Sequence, residues 1–193
     1  SGAIAPPAQS AGPGLNIHPL YFTYPAAEGA VDLRVAENEF GAANALSELV
    51  AAASAAAVAA KGSFTLALSG GSLVRMLGAL AGRADVDFSK WFVLFVDERV
   101  VPHASPESNV GAAREALLRR VPVPTSHVLA IREGVNATDA AAHYAGQMLD
   151  LPADVLPRAA GGFPAIDLVL LGVGPDGHVA SLFPNRKETA ATS

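Results

Sequence analysis

The 193-residue sequence contains no cysteine, which excludes disulfide bonds and thiolate metal sites. Charged residues are also scarce, at 16% of the chain, and the formal net charge is −5 with no long basic run. That balance argues against a surface for nucleic acid or for an anionic membrane, although it allows a local basic patch around a phosphate-sized ligand. Aromatic residues make up only 6%, but hydrophobic residues reach 51%. We therefore expect a globular protein that does not bind nucleic acid.

A long hydrophobic run is missing as well. The nearest approach is LVAAASAAAVAA at residues 49–60, which is too short to span a bilayer and is flanked by Glu48 and Lys61. We predict a packed helix there and no membrane span. The chain begins with Ser1 and shows no signal-peptide pattern. We therefore expect a soluble intracellular protein, either cytoplasmic or in the stroma or matrix of an organelle.

The first 28 residues are dominated by Gly, Pro, Ser and Ala, with an aromatic group at Tyr21, Phe22 and Tyr24. This composition predicts an extended N-terminal arm, either a flexible leader or a tether whose aromatic residues dock on another subunit. Residues 29–185 are then predicted to form one α/β domain, and residues 186–193 a polar tail.

Apolar strands alternate with helical stretches through the predicted domain. This alternation predicts a doubly wound α/β fold, a mostly parallel sheet with helices on both faces. Ser108 or Asn109 could cap the third helix, and Thr138 could cap the fourth. The predicted strands are 31–36, 64–69, 92–97, 128–131 and 166–171, and the predicted helices are 39–61, 72–81, 107–119 and 138–149.

Three strand ends have unusual sequences, and in such a sheet they would lie at the same edge, where ligands bind. The first loop is SGGS at residues 69–72. Its glycines allow a tight turn with exposed N–H groups, and the helix that follows adds partial positive charge, so a phosphate could bind there. Ser72 could donate to that anion, but a tight turn with a capping serine explains the same residues.

The second loop, VDERVVP, places Asp97, Glu98 and Arg99 directly after a buried strand. Arg99 could bind an anion in a bidentate manner, and Asp97 could orient a donor or accept a proton. A solvated loop would explain the charges but not their position, so we favour a functional role. The SPESN sequence that follows could bring Asn109 to the same edge, although a helix cap is sufficient to explain it.

The third loop lies in LLGVGPDGHVASLFP, residues 170–184, where three glycines let the backbone approach a ligand closely. His178 is the side-chain type best suited to acid–base work near neutrality, and Asp176 is near enough in sequence to orient it. No zinc-type histidine spacing and no G-x-S-x-G motif occurs, so neither a metal site nor a serine hydrolase is predicted. A structural role is expected for His18, His103, His127 and His143.

Together, LALSGGS, FVDERVVP with ESN, and LLGVGPDGHVASLFP, in this order and spacing, closely resemble the 6-phosphogluconolactonases. The glucosamine-6-phosphate deaminase/isomerase relatives share the third motif in a looser form. The DER loop and the ASLFP ending point to the lactonase branch. The resemblance extends from about residue 31 to residue 184.

The resemblance implies hydrolysis of 6-phospho-D-glucono-1,5-lactone to 6-phosphogluconate in the oxidative pentose phosphate pathway, with no cofactor. It implies that His178 is the general base that takes a proton from the attacking water. Asp176 and Asp97 would position the histidine, the water or sugar hydroxyls, and Arg99 would hold the site's geometry or the substrate's charge. The residues expected to bind the substrate, with its phosphate at the first loop, are Ser69, Gly70, Gly71, Ser72, Asn109 and Gly174.

Members of this family usually continue for some tens of residues past the SLFP motif, whereas NRKETAATS follows Pro184 here. The resemblance therefore leaves a second hypothesis, a shortened non-catalytic subunit of a larger assembly. In that case a protein partner would cover the open C-terminal edge and the N-terminal arm. A deaminase acting on an amino-sugar phosphate is a third hypothesis. Exposed apolar surface beside the last strand would favour the subunit.

Overall fold

The computed structural model describes residues 20–26, 29–187 and 189, and for residues 20–26, 29 and 30 it describes the backbone alone. Most of the predicted N-terminal arm and the last residues of the predicted tail lie outside the described residues. The division into arm, domain and tail therefore stays a prediction, as does any docking by the aromatic residues of the arm.

An antiparallel hairpin opens the described chain. Strands β1 (Leu20–Ala26) and β2 (Gly29–Val35) pair from Leu20 opposite Val35 to Ala26 opposite Gly29. The strand predicted over 31–36 is present, but it pairs in this separate two-stranded sheet and not in the parallel sheet. Its partner β1 lies within the predicted arm, where proline and glycine obscure the strand pattern.

Helix α1 (Glu39–Lys61) has the predicted bounds, because both ends carry strong local signals. The Asn38 side chain accepts a hydrogen bond from the N–H of Gly41 at 2.9 Å. Gly62, at φ +81°, ends the helix in the left-handed conformation that glycine adopts easily.

By length and composition alone α1 could cross a bilayer, a criterion that the core helix of a globular domain also meets. Here α1 contributes to the core of the domain: Val50 is fully buried, and the Ser54 hydroxyl accepts the indole N–H of Trp91 at 2.8 Å. The structure thus agrees with the prediction of a packed helix.

The central sheet is parallel, with strand order β4-β3-β5. Its strands are β3 (Phe64–Leu68), β4 (Trp91–Phe95) and β5 (Leu168–Leu170), close to three of the predicted strands. The strand predicted over 128–131 is wrong, since only a single bridge joins Val128 to Val93.

The reason for that short bridge lies two residues further along β4. The Tyr144 hydroxyl accepts from the N–H of Phe95 at 2.7 Å and donates to its carbonyl oxygen at 3.0 Å. A phenol thus replaces the next strand residue at the outer edge of β4. The end of β4, and with it the second loop, is fixed by a helix side chain.

Helices cover both faces of the sheet, as predicted. The larger core contains every second residue of β3, namely Phe64, Leu66 and Leu68. Residues of α1 and of the second and third helices pack against them. Ala67 points to the smaller core on the other face, beside Tyr144 and residues of helix α4 (Ala137–Asp150). The fold is a doubly wound α/β domain.

The second helix differs from its prediction. Helix α2 (Ser72–Met76) continues as a 3₁₀ turn (Leu77–Gly82), and Gly71 occupies the cap position without any side-chain hydrogen bond. The expectation that Ser72 could cap this helix is therefore wrong, because Ser72 is already its first helical residue.

The third and fourth helices begin one or two residues away from their predicted first residues. Helix α3 (Asn109–Ala113) continues as a π-helical turn (Arg114–Leu118), and its cap is Ser108, one of the two predicted candidates. Helix α4 is capped by Asn136 and not by Thr138, since the Asn136 side chain accepts from the N–H of Asp139 at 2.9 Å.

Candidate active site

The first loop leaves the carboxyl end of β3 and is tied to the third loop. The Ser69 hydroxyl accepts from the N–H of Gly172 at 3.0 Å, and the Ser69 N–H donates to the carbonyl oxygen of Leu170 at 3.0 Å. Ser69 is buried. Its hydroxyl therefore joins two loops, and direct contact with a substrate stays a prediction.

Gly70 and Gly71 need to be glycine for different reasons. A Cβ on Gly70 would lie 2.2 Å from Oδ1 of Asn109, whereas Gly71 adopts φ +85°. Gly71 and Ser72 are exposed. Within the part of the chain that the structure describes, the backbone N–H groups of Gly70 and Gly71 donate to no acceptor. Two backbone donors are thus available to an anion at the start of α2.

Asp97 is held from two other segments. The Asn109 amide donates from Nδ2 to Oδ1 of Asp97 at 3.1 Å and to the carbonyl oxygen of Asp97 at 2.9 Å. Ser181 in the third loop donates its hydroxyl to Oδ2 of Asp97 at 2.7 Å. Both carboxylate oxygens are therefore oriented by named donors, which suits Asp97 to positioning a neighbouring group.

Arg99 projects from the same loop in a different direction. Its Nη1 donates to the carbonyl oxygen of Glu107 at 2.7 Å, and the side chain is exposed. Within the described residues the Arg99 side chain makes no hydrogen bond to another predicted site residue. The remaining guanidinium donors are free to bind an anion from solvent.

His178 and Asp176 form a contact pair in the third loop. Nδ1 of His178 lies 2.5 Å from Oδ1 of Asp176, and the backbone N–H of His178 donates to the same oxygen at 3.3 Å. Because a carboxylate only accepts, Nδ1 carries the proton of this hydrogen bond. Nε2 is then the basic nitrogen of the ring.

Glycines let the third loop fold this tightly. The N–H of Gly174 donates to the carbonyl oxygen of His178 at 2.8 Å, and Gly177 adopts φ +86°. A Cβ on Gly174 would lie 2.1 Å from Cε1 of His178, so the imidazole occupies the space that only glycine leaves. The ring also packs on Phe183, with centroids 4.8 Å apart.

The electrostatics of the pair follow from that contact. The hydrogen bond from the His178 side chain, followed by that from its backbone N–H, lowers the pKa of Asp176 below its ordinary value. The carboxylate thus stays ionised while it orients the imidazole, which is the arrangement that a general base requires.

Sequence reasoning singled out Glu98 without assigning its role and missed Ser181 and Tyr144. Glu98 accepts three hydrogen bonds from the start of α3 and one from the N–H of Arg99, and Ser181 makes the Asp97 contact described above. The ASLFP motif contains Ser181, but no local pattern indicates a partner 84 residues away. Tyr144 reads as an ordinary core residue of an amphipathic helix.

A cavity of about 370 Å³ lies between the segment that follows the second loop and the third helix with its π-helical continuation, and none of the predicted site residues lines it. No cluster of three or more His, Asp or Glu side chains suited to a metal ion occurs within residues 20–26, 29–187 and 189. The residues lining the cavity are His103, Ala104, Ser105, Pro106, Gly111, Ala112, Arg114, Glu115 and Arg119.

Comparison with known proteins finds a family whose members are similar to this chain over a range that includes all three loops. The family described as glucosamine-6-phosphate isomerases/6-phosphogluconolactonase matches residues 37–193. The chain is 46% identical over 147 residues to a probable 6-phosphogluconolactonase 3, chloroplastic, of Oryza sativa subsp. indica, covering 74% of this chain and 45% of that protein. It is 40% identical over 167 residues to the 6-phosphogluconolactonase of Homo sapiens, covering 82% and 61%.

The fold agrees with solved structures of the same family. The crystal structure of 6-phosphogluconolactonase from Leishmania guyanensis superposes with a TM-score of 0.66 at 30% identity, over 81% of this chain and 65% of that chain. The chain thus spans about half the length of the curated relatives that it matches.

Proposed function

The chain belongs to the glucosamine-6-phosphate isomerase/6-phosphogluconolactonase family, and on that premise we propose that it hydrolyses 6-phospho-D-glucono-1,5-lactone to 6-phosphogluconate. The observation that carries the proposal is the Asp176–His178 pair, in which Nδ1 is engaged and Nε2 is left basic. Names of relatives in plants, animals and protists support the same substrate.

In the proposed reaction, His178 Nε2 takes a proton from a water whose oxygen attacks the lactone carbonyl carbon. Charge develops on the carbonyl oxygen, and the tetrahedral intermediate collapses by breaking the bond from the carbonyl carbon to the ring oxygen. That ring oxygen leaves as a hydroxyl after it receives the proton held on His178. Asp176 keeps the imidazole oriented through its hydrogen bond to Nδ1.

The other loops bind and orient the sugar phosphate in this proposal. The free N–H groups of Gly70 and Gly71, with the exposed Ser72 hydroxyl, receive the phosphate. Asp97 and Asn109, already bonded to each other, orient sugar hydroxyls or the attacking water. The guanidinium of Arg99 attracts the substrate's charge. Ser69 and Gly174 act by letting the loops fold closely, and contact of either with the substrate stays a prediction.

The experiment that tests the proposal is lactone hydrolysis by the 193-residue chain. Freshly generated lactone is supplied, and the rate is compared with spontaneous opening and with His178→Ala. We expect acceleration by the wild-type chain and its loss in the variant, with both proteins equally folded by circular dichroism. A folded wild-type chain that does not accelerate the reaction would contradict the proposal. Glucosamine 6-phosphate, tested in parallel, would reveal a deaminase.

A non-catalytic subunit is the second candidate, and one observation favours it. Val169, Leu171 and Val173, on and just after β5, expose 43%, 48% and 74% of their surface. Large apolar side chains in such a row are typical of a surface that another segment covers. A protein partner there stays a prediction, and pull-down with the chain against a Val173→Asp control tests it.

The compartment in which the chain works is likewise a prediction. We expect a soluble enzyme of the cytoplasm or of a plastid stroma, since relatives named as chloroplastic and a human relative both match it. Fractionation of source cells followed by detection of the chain would distinguish the two.

A further inference from the structure

The Glu98 carboxylate is saturated by four donors. Oε1 accepts from the backbone N–H groups of Arg99 and Asn109, both at 2.8 Å. Oε2 accepts from the Ser108 hydroxyl at 3.0 Å and from the backbone N–H of Val110 at 2.8 Å. With two donors on each oxygen, Glu98 has no acceptor site left for a substrate hydroxyl.

Three of these bonds hold the start of α3, since their donors are the N-cap Ser108 and the first two helical residues, Asn109 and Val110. The first backbone N–H groups of α3 lack partners within the helix, and Glu98 satisfies those of Asn109 and Val110. Ser108 donates its hydroxyl to Glu98 while accepting from the N–H of Gly111 at 3.0 Å. The carboxylate therefore joins the beginning of the second loop to the N-terminus of α3, across about ten residues of intervening chain.

The position of Asn109 depends on that junction. Asn109 is buried, its amide makes two bonds to Asp97, and its Oδ1 leaves no room for a Cβ on Gly70. A shift at the start of α3 would thus be transmitted to Asp97 and to the first loop together. The Glu98 carboxylate therefore influences the first and second loops through Asn109. It is not bonded to His178, because all four of its hydrogen bonds come from other residues.

We propose that Glu98 is a positioning residue of this site: its carboxylate fixes Asn109, and through Asn109 it fixes Asp97 and the phosphate-binding loop. The role in catalysis rests on the proposed lactonase function, whereas the positioning itself is a property of the fold. Glu98→Gln is the informative substitution. In either orientation of the glutamine side chain, its NH₂ group would replace an oxygen that accepts from two donors.

A matched control residue lies at the amino ends of the strands, whereas the three loops lie at their carboxyl ends. Asp167, just before β5, accepts from the N–H and the hydroxyl of Thr65, both at 2.7 Å, and pairs with Lys61 at 3.0 Å. Asp167→Asn also exchanges a carboxylate for an amide within a hydrogen-bonded cluster, but it does so away from the three loops. If Glu98 only stabilised the fold, each variant would lose affinity for the ligand only in proportion to the fraction of its molecules that are unfolded.

The experiment compares wild type, Glu98→Gln and Asp167→Asn by NMR amide exchange and by titration with 6-phosphogluconate. In Glu98→Gln we expect exchange at the Asn109 and Val110 amides to rise about tenfold or more, with the β3–β4 ladder unchanged. We also expect the resonances of the Asn109 side-chain amide to shift, and product affinity to fall about tenfold. Asp167→Asn should leave these amides and the affinity as in wild type.

Unchanged exchange at Asn109 and Val110 in Glu98→Gln would overturn the proposal, and so would equal loss of affinity in both variants. If wild type binds no product, the proposed function fails, and the exchange data alone then decide whether Glu98 positions Asn109. Should Glu98→Gln not fold, Ser108→Ala removes one of the four donors and should raise exchange at the same amides by a smaller factor.

Discussion

The Ser181 hydroxyl donates to Oδ2 of Asp97 at 2.7 Å, joining the third loop to the second across 84 residues of sequence. This hydrogen bond is exposed, so it contributes little to folding, yet it fixes the direction of one carboxylate oxygen at the candidate active site. Removing this hydrogen bond should therefore lower the catalytic rate more than it lowers the free energy of unfolding.

Ser181→Ala tests that distinction. We expect kcat for lactone hydrolysis to fall roughly tenfold, because Asp97 loses one of its orienting donors, while the free energy of unfolding changes by less than about 1 kcal/mol. Steady-state kinetics and urea unfolding measure the two quantities.

Ser89→Ala is the control for this prediction, since Ser89 makes a comparable exposed hydroxyl–carboxylate bond to Asp87 at 2.5 Å, just before β4 and away from the loops. Equal effects of the two substitutions on kcat would contradict a specific role for Ser181.

Gly70→Ala should damage the site through crowding. The new Cβ would lie 2.2 Å from Oδ1 of Asn109, so the buried amide must move and release Asp97. We expect a loss of about 1–3 kcal/mol in stability from overpacking and roughly a hundredfold loss in kcat/KM from the displaced groups.

Gly146→Ala provides the comparison, because a Cβ there meets nothing within 4 Å and the residue lies in α4. This change should be neutral or stabilising by up to about 1 kcal/mol. A Gly70→Ala protein as active as Gly146→Ala would show that Asn109 can move without consequence.

The Asp176–His178 contact predicts a pH-dependent contribution of definite sign. Because the pKa of Asp176 is lowered in the folded chain, chiefly by the hydrogen bond from the His178 side chain, the unfolded state binds the proton more tightly. The contribution is present above the ordinary aspartate pKa of about 3.9 and is lost as the pH falls through the lower folded value.

Carbon-13 NMR titration of the Asp176 carboxyl measures this directly. We expect a midpoint below the ordinary aspartate value in wild type and a rise toward that value in His178→Ala. An identical midpoint in both proteins would mean that the histidine does not hold the carboxylate in solution.

Tyr144→Phe should destabilise the end of β4. Removing the hydroxyl leaves the N–H and the carbonyl oxygen of Phe95 without their partner at the sheet edge. The expected loss is about 1–3 kcal/mol in the free energy of unfolding, measured by urea denaturation at pH 8. Stability equal to wild type would indicate that water replaces the phenol at no cost.

The same phenol gives a second pH dependence. Burial raises the pKa of Tyr144 to about 12, whereas an unfolded chain would ionise it near 10. The folded state therefore retains the proton more strongly, and stability is lost as the pH rises from about 10 to about 12. The difference in stability between wild type and Tyr144→Phe should narrow over that range, and a constant difference would contradict the assignment.

Local patterns were sufficient for the elements whose signals are contiguous in sequence. The helix over 39–61 was predicted from its alanine-rich run and the Gly62 that follows it, and the apolar runs of β3 and β4 predicted two buried strands. Placing Asp97 and His178 at one edge required only the rule that parallel strands end on the same side.

Long-range contacts account for what the sequence did not reveal. The pairing at Val128 is limited to one bridge because the Tyr144 hydroxyl occupies the next hydrogen-bonding position along β4. Hydrophobic periodicity cannot predict that a helix side chain takes the place of a strand residue. Glu98 looked like one more charge at a strand end, but three of its four donors reach it only once α3 is in place. Side-chain roles that depend on two separately folded segments are invisible to local patterning.

The three loops are joined in series: Ser69 links the first loop to Gly172 in the third, Ser181 links the third to Asp97 in the second, and Asn109 holds Asp97 from the start of α3. The entropy of ordering these loops is therefore lost during folding, before any ligand arrives, and little remains to be lost on binding. Ser181 and Asn109 also depend on each other, because both orient the same Asp97 carboxylate, and once one donor is removed the other holds that carboxylate less firmly. Double substitutions such as Ser181→Ala with Asn109→Ala should consequently cost less than the sum of the single ones.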